Sequence, residues 1–159
     1  MRPVNLNFDK HLVNEILGSV LDKIVKPDTV KINMPSNFVY AMCDFARLEI
    51  VFTNLIINAV QAMNNSGQIN IELFDEENNV LIKISDTGSG IPQDVLPQIF
   101  EPLFTTKQIG TGLGLASCKK IIEQHNGVIN VASTVGSGTT FTITLPKNKL
   151  IANKIKQLA

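Results

Sequence analysis

Cysteine is scarce in this 159-residue chain: Cys43 and Cys118 are the only two, and neither has a second cysteine or a histidine at metal-ligand spacing. That argues against a disulfide scaffold and a zinc site, and makes a reducing, cytoplasmic setting the default. An excess of charge is lacking too. Fourteen basic side chains face fourteen acidic ones, so the balance offers no footprint for nucleic acid and no polybasic patch for a membrane. No run approaches the roughly 20 apolar residues that span a bilayer. The N-terminus lacks the basic-then-apolar layout of a signal peptide, and there is neither an internal repeat nor a low-complexity tract. What is present is 44% hydrophobic and 18% charged residues, which fits one soluble globular domain with a real core. It stands either whole or as a piece of a longer protein.

The patterning predicts an alternation of helices and strands. In residues 10–25, Leu12, Ile16, Val20 and Ile24 recur at helical spacing until "KPD" ends the run. "TVKINMP" and "FVYAMCD" read as two short strands joined into a hairpin by "PSN". From Asp44 to Met63 an apolar stripe of Leu48, Val51, Phe52, Leu55, Ala59 and Met63 predicts a long helix with Asp44 as its N-cap. Ile69, Ile71 and Leu73, then Val80, Ile82 and Ile84, mark two strands with one apolar face each. A short helix over 93–99, an irregular lid in "FEPLFTTKQIGTG", a helix stopped at Asn126-Gly127 and a last hairpin across "GSG" complete the order. The lid is polar and hinged by glycine, so disorder is expected of it in the absence of a bound ligand. The basic "KNKLIANKIKQLA" reads as a tail or the start of a further element.

Three stretches bring chemistry together. In "NLIINAVQAM", Asn54 and Asn58 lie one helical turn apart and Gln61 continues the edge. Two readings are open: amides facing solvent or capping backbone, and amide oxygens for a hard cation such as Mg²⁺, which takes its other ligands from water and phosphates. In "DTGSGIP", Asp86 ends a strand and its carboxylate can accept hydrogen bonds from an exocyclic amine, while Gly88 and Gly90 let backbone approach a flat ring. An ordinary turn chosen for positive φ fits the same seven residues. In "GTGLGLA", alternate glycines stand where a loop becomes a helix, so exposed N–H groups can meet phosphate. The spacing is neither a Walker A loop nor a Rossmann turn. Lys107 either adds a charge to a terminal phosphate or is a solvated loop lysine. Neither His11 nor His125 has the context of a nucleophile.

Taken in order, these stretches resemble the catalytic ATP-binding domain of sensor histidine kinases, within the superfamily that also holds gyrase and MutL ATPases. "NLIINAVQAM" resembles the family's asparagine box, "DTGSGIP" and "GTGLGLA" its two glycine boxes, "FEPLFTTK" its phenylalanine box and "GSGTTFTITLP" its closing strand. The resemblance implies a Bergerat fold. This is an α/β two-layer sandwich whose mixed, mostly antiparallel sheet of about five strands, plus a small hairpin, is covered on one face by three helices. It implies a catalytic domain over 1–146 and a basic tail over 147–159. Asp86 would bind the adenine amine, with Gly88, Gly90 and Ile91 shaping the adenine wall and Thr139 or Thr140 nearby. Asn58 would hold Mg²⁺, with Asn54 beside it near the phosphates and Lys107 as a catalytic charge. Gly110, Gly112 and Gly114 would cradle phosphate. Phe100, Phe104, Thr106, Thr111, Leu113 and Leu115 belong to the same boxes and join the ATP-binding set.

Departures from the pattern narrow the activity. Asn54 stands where the superfamily's hydrolases carry a glutamate base, which favours a kinase over an ATPase. Gln61, a nitrogen-sensor-like feature, replaces the Lys or His of many relatives. Nothing resembles the phosphoacceptor box. The implied partners are therefore a dimeric histidine domain outside these residues, which receives the γ-phosphate, and a downstream response regulator. An ATPase clamp, an anti-sigma-type Ser/Thr kinase and a degenerate nucleotide-sensing scaffold are the competing readings.

Overall fold

Asp44 starts the element around which the rest is arranged. Its Oδ1 accepts the N–H of Arg47 at 3.1 Å and so caps helix α2, Phe45–Ala62. The computed structural model describes residues 5–102 and 114–147. Before α2 come strand β1 (Asp9–Leu12), helix α1 (Val13–Lys23), and strands β2 (Val30–Asn33) and β3 (Tyr40–Cys43). After it come β4 (Gly67–Asp75), β5 (Asn79–Asp86), helix α3 (Gly114–Gln124), β6 (Val128–Thr134) and β7 (Gly138–Pro146).

Five strands form one sheet in the order β2-β4-β5-β7-β6, with β2 parallel to β4 and every other pairing antiparallel. β1 and β3 make a separate two-stranded sheet. Alternation along the strands sends Ile69, Ile71, Leu73, Val80, Ile82, Ile84, Phe141, Ile143 and Leu145 to one buried face. On that face Leu48, Val51, Phe52, Leu55 and Ile56 of α2 meet Val13, Ile16, Leu17 and Val20 of α1 and Cys118, Ile121 and Ile122 of α3 in one core. Burying a Phe52- or Leu55-sized side chain contributes about 2–3 kcal/mol each. The expected sandwich, with three helices on a mixed sheet, is what these described residues build. None of their helices is long and apolar enough to cross a membrane.

Two expectations about the first 43 residues need correction. Residues 10–12 do not begin the first helix: they pair with Tyr40–Met42, and α1 starts only at Val13, whose N–H goes to Val39 O. Leu12 fits the helical stripe, but the two-stranded sheet claims its backbone. Nor do β2 and β3 form a hairpin. Val30–Asn33 runs parallel to Gly67–Asn70, anchored by Gly67 N–H to Thr29 O, while β3 turns away to β1. Period-2 pattern identifies a strand and leaves its partner unspecified. The short helix expected over 93–99 contracts to one 3-10 turn, Leu96–Gln98, with Pro97 in its first turn. The stop at Asn126-Gly127 holds: Asn126 takes φ 58°, and the N–H groups of Asn126 and Gly127 return to Glu123 O and Ile122 O.

Candidate functional site

The site lies along one edge of α2. Asn54 and Asn58 are both half-buried there, and Gln61 is exposed. Asn54 faces the first turn of α3: its side chain is hydrogen-bonded to the Cys118 thiol, and its Oδ1 stands 3.4 Å from where a Cβ on Gly114 would sit. Desolvation by burial pushes the Cys118 thiol up to about 12, only partly offset by Asn54. At the other end, Ala62 O accepts the N–H of Ser89 at 3.2 Å, and a Cβ on Gly88 would come within 2.7 Å of the same carbonyl. Eight helical residues, about 12 Å, separate these contacts. Asn58 lies between them.

Asp86 ends β5 on the helix-covered face. Its Oδ1 accepts the N–H of Gly88 at 2.8 Å and of Thr139 at 3.3 Å, while its residue keeps only 9% of its surface. Both backbone donors fall on one oxygen of the carboxylate and so fix its orientation. Gly90, at φ 78°, passes the β6–β7 hairpin so closely that a Cβ would stand 2.3 Å from Thr134 O.

The structure separates the two candidate threonines. Thr139 shares the Asp86 face, whereas Thr140 pairs with Ser85 on the opposite face, their hydroxyls 2.8 Å apart. Ile91 is half-buried and donates its N–H to Ser133 Oγ at 2.7 Å. Phe100 packs edge-on against Phe141, ring centroids 6.2 Å apart, and Lys119 Nζ lies over the Phe100 ring, 5.9 Å from its centroid. Gly114 and Leu115 open α3, and Leu115 packs on the core. Phe104, Thr106, Lys107, Gly110, Thr111, Gly112 and Leu113 lie outside the described residues, as do most of the lid and 148–159 of the tail. Among the described residues no cluster of three or more His, Cys, Asp or Glu side chains forms a metal cage. A cation on this edge would therefore take a neutral amide oxygen and phosphate or water, a donor set that suits Mg²⁺.

Two residues that the sequence left plain have defined work. His125, buried at 1% exposure, accepts the Asp44 N–H on Nε2 at 3.0 Å and meets Ile121 O with Nδ1 at 2.8 Å. Ser133 binds residues 42 positions before it and 6 after. No local motif signals either contact.

With this geometry in view, the family decides itself. Residues 43–149 match the model of the histidine kinase-, DNA gyrase B- and HSP90-like ATPases. The chain belongs to that family. It is 49% identical over 102 residues to the sensor histidine kinase ZraS of Escherichia coli, covering 64% of this chain and 22% of the relative. It is 42% identical over 118 residues to sporulation kinase A of Bacillus subtilis, covering 74% and 20%. It thus spans about a fifth of the length of these two curated relatives. The solved catalytic domain of histidine kinase ThkA superposes with a TM-score of 0.74 at 32% identity, covering 89% of this chain and 97% of that one. A mycobacterial sensor histidine kinase, MprB, shares the fold at a TM-score of 0.80 and 23% identity, over 88% and 97%. The protein is an ATP-binding catalytic domain of the sensor histidine kinase type.

Proposed function

We propose that Asp86 receives the exocyclic amine of adenine, with Gly88, Gly90 and Ile91 as the wall beside the ring and Thr139 at its edge. The observation that carries this is the orientation of Asp86 by Gly88 N–H and Thr139 N–H at the end of a buried strand. Phosphates then run along α2 toward the start of α3, where Gly110, Gly112 and Gly114 supply backbone N–H groups. Asn58 would hold Mg²⁺ by its amide oxygen, and the ion would supply positive charge to offset that of the phosphates. Asn54 fixes the first turn of α3 beside them, and Lys107 adds a point charge to the γ-phosphate.

The domain runs over 1–146, with 147–159 a basic tail. It positions Mg·ATP for attack by a histidine on a dimeric domain that these residues do not contain, and the phosphoryl group passes on to a response regulator. The setting is cytoplasmic. Hydrolysis is disfavoured because Asn54, a neutral amide bonded to Cys118, stands where a water-activating carboxylate would be needed. Incubation with γ-labelled ATP tests this: the chain alone takes up no label, and adding the histidine domain of the same protein restores labelling. Label on the chain alone would overturn the reading.

A further inference from the structure

The hairpin that closes the sheet also clasps the glycine loop. Ser89, Ile91 and Gln93, alternate residues of that loop, each bond to it: Gly136 N–H to Ser89 O at 2.8 Å, Ile91 N–H to Ser133 Oγ at 2.7 Å, and Gln93 Nε2 to Ser133 O at 2.9 Å. Ser133 Oγ further lies 3.0 Å from Gly138 O and 2.8 Å from Thr139 Oγ1.

A serine hydroxyl has one proton and two acceptor lone pairs. The Gly138 carbonyl can only accept, so it takes the proton. The lone pairs then receive Ile91 N–H and the Thr139 hydroxyl proton. Ser133 is saturated, with no valence left for a ligand, and only 9% of it is exposed. The consequence falls on Thr139. Its proton is committed to Ser133, so toward anything else its oxygen acts only as an acceptor. Thr139 N–H meanwhile holds Asp86 Oδ1, and Asp86 as a carboxylate also only accepts. The edge beside Asp86 is thereby set to present acceptors, which suits a purine 6-amine and repels a 6-oxo group.

We propose that Ser133 is a positioning residue for base selectivity: by holding the Thr139 proton and the Ile91 end of the loop, it makes the site select an amino purine over an oxo purine. This rests on the reading of Asp86 as the adenine contact. In Ser133→Ala the Thr139 hydroxyl is released, turns, and donates to a 6-oxo group.

The test is calorimetric titration of wild type and Ser133→Ala with ATP and with inosine triphosphate, which carries oxygen at the 6-position. Wild type prefers ATP by about 10- to 100-fold, the difference made by a hydrogen bond to a charged group. Asp86 still favours the amine in the variant, so the ratio narrows without vanishing, by about 2- to 10-fold, through gained affinity for inosine triphosphate. A merely structural role would weaken both nucleotides together, and an unchanged ratio in the variant overturns the proposal alone. A wild type that binds but does not distinguish the two removes the Asp86 reading and this proposal with it. Should Ser133→Ala fail to fold, Ser133→Cys, with its weak donor and acceptor, carries the same test.

Discussion

The backbone N–H of Asp44 donates to Nε2 of His125 across 3.0 Å, tying the residue just before α2 to the residue just after α3. Asp44 itself caps α2 and receives the N–H of Asn7 on its other oxygen at 2.8 Å, while Phe8 stacks edge-on against the His125 ring. The two helices are thus joined at the end remote from Gly114 and Asn54. Replacing His125 by Ala leaves a buried N–H without its acceptor and a cavity beside Phe8. We expect a loss of about 2–4 kcal/mol in urea unfolding. A change under about 0.5 kcal/mol would show that the bond is incidental.

Gly136 and Gly138 separate backbone strain from close packing. Both have positive φ, 86° and 113°, but a Cβ on Gly136 meets nothing within 4 Å, whereas one on Gly138 would stand 2.0 Å from Asp86 O. Gly136→Ala should cost only the left-handed strain, about 1–2 kcal/mol. Gly138→Ala should cost more and also weaken nucleotide binding, since it displaces the end of β5. Thermal melts with parallel titrations decide, and equal costs would contradict the packing argument.

Burial pushes the Cys43 thiol, like that of Cys118, up to about 12 from 9.0. A folded-state value above the unfolded one means that the stability it contributes is whole below pH 9 and is lost as pH rises from 9 toward 12. Urea unfolding should therefore show stability falling between about pH 8 and 10, by about 1 kcal/mol per cysteine at the upper value. The double variant Cys43→Ala, Cys118→Ala should lose correspondingly less over the same interval. Both thiols should also resist alkylation in the folded chain at neutral pH.

Asn58 tests the cation. Nucleotide affinity measured with and without Mg²⁺ should differ in wild type, and the ratio should fall to near unity in Asn58→Ala while the Mg²⁺-free affinity holds. A variant that loses both equally would mark Asn58 as a packing residue of α2.

The long helix and the β4–β5 and β6–β7 hairpins were legible because their signals are local: the Asp44 cap, the 3.6-residue stripe to Met63, strict alternation from Ile69 to Ile84, and glycines in the last turn. The end of β5 at Asp86 was legible for the same reason, a strand meeting a glycine turn. The partners of β1, β2 and β3 were not, because alternation does not state whether Val30–Asn33 pairs with its neighbour or with residues 67–70. Nor was Ser133 legible, whose contact to Ile91 spans 42 positions and has no sequence signature. The separation of Thr139 from Thr140 needed the register of β7 against β5.

The most direct test of the account is titration of the chain with a non-hydrolysable ATP analogue, comparing wild type with Asp86→Asn. The amide oxygen of Asn can still accept from Gly88 and Thr139, so the fold is kept, but its NH₂ opposes the adenine amine instead of receiving it. The account predicts binding by wild type and a loss of about 10- to 100-fold in a folded variant. Undiminished binding by Asp86→Asn would contradict it, and place the base elsewhere.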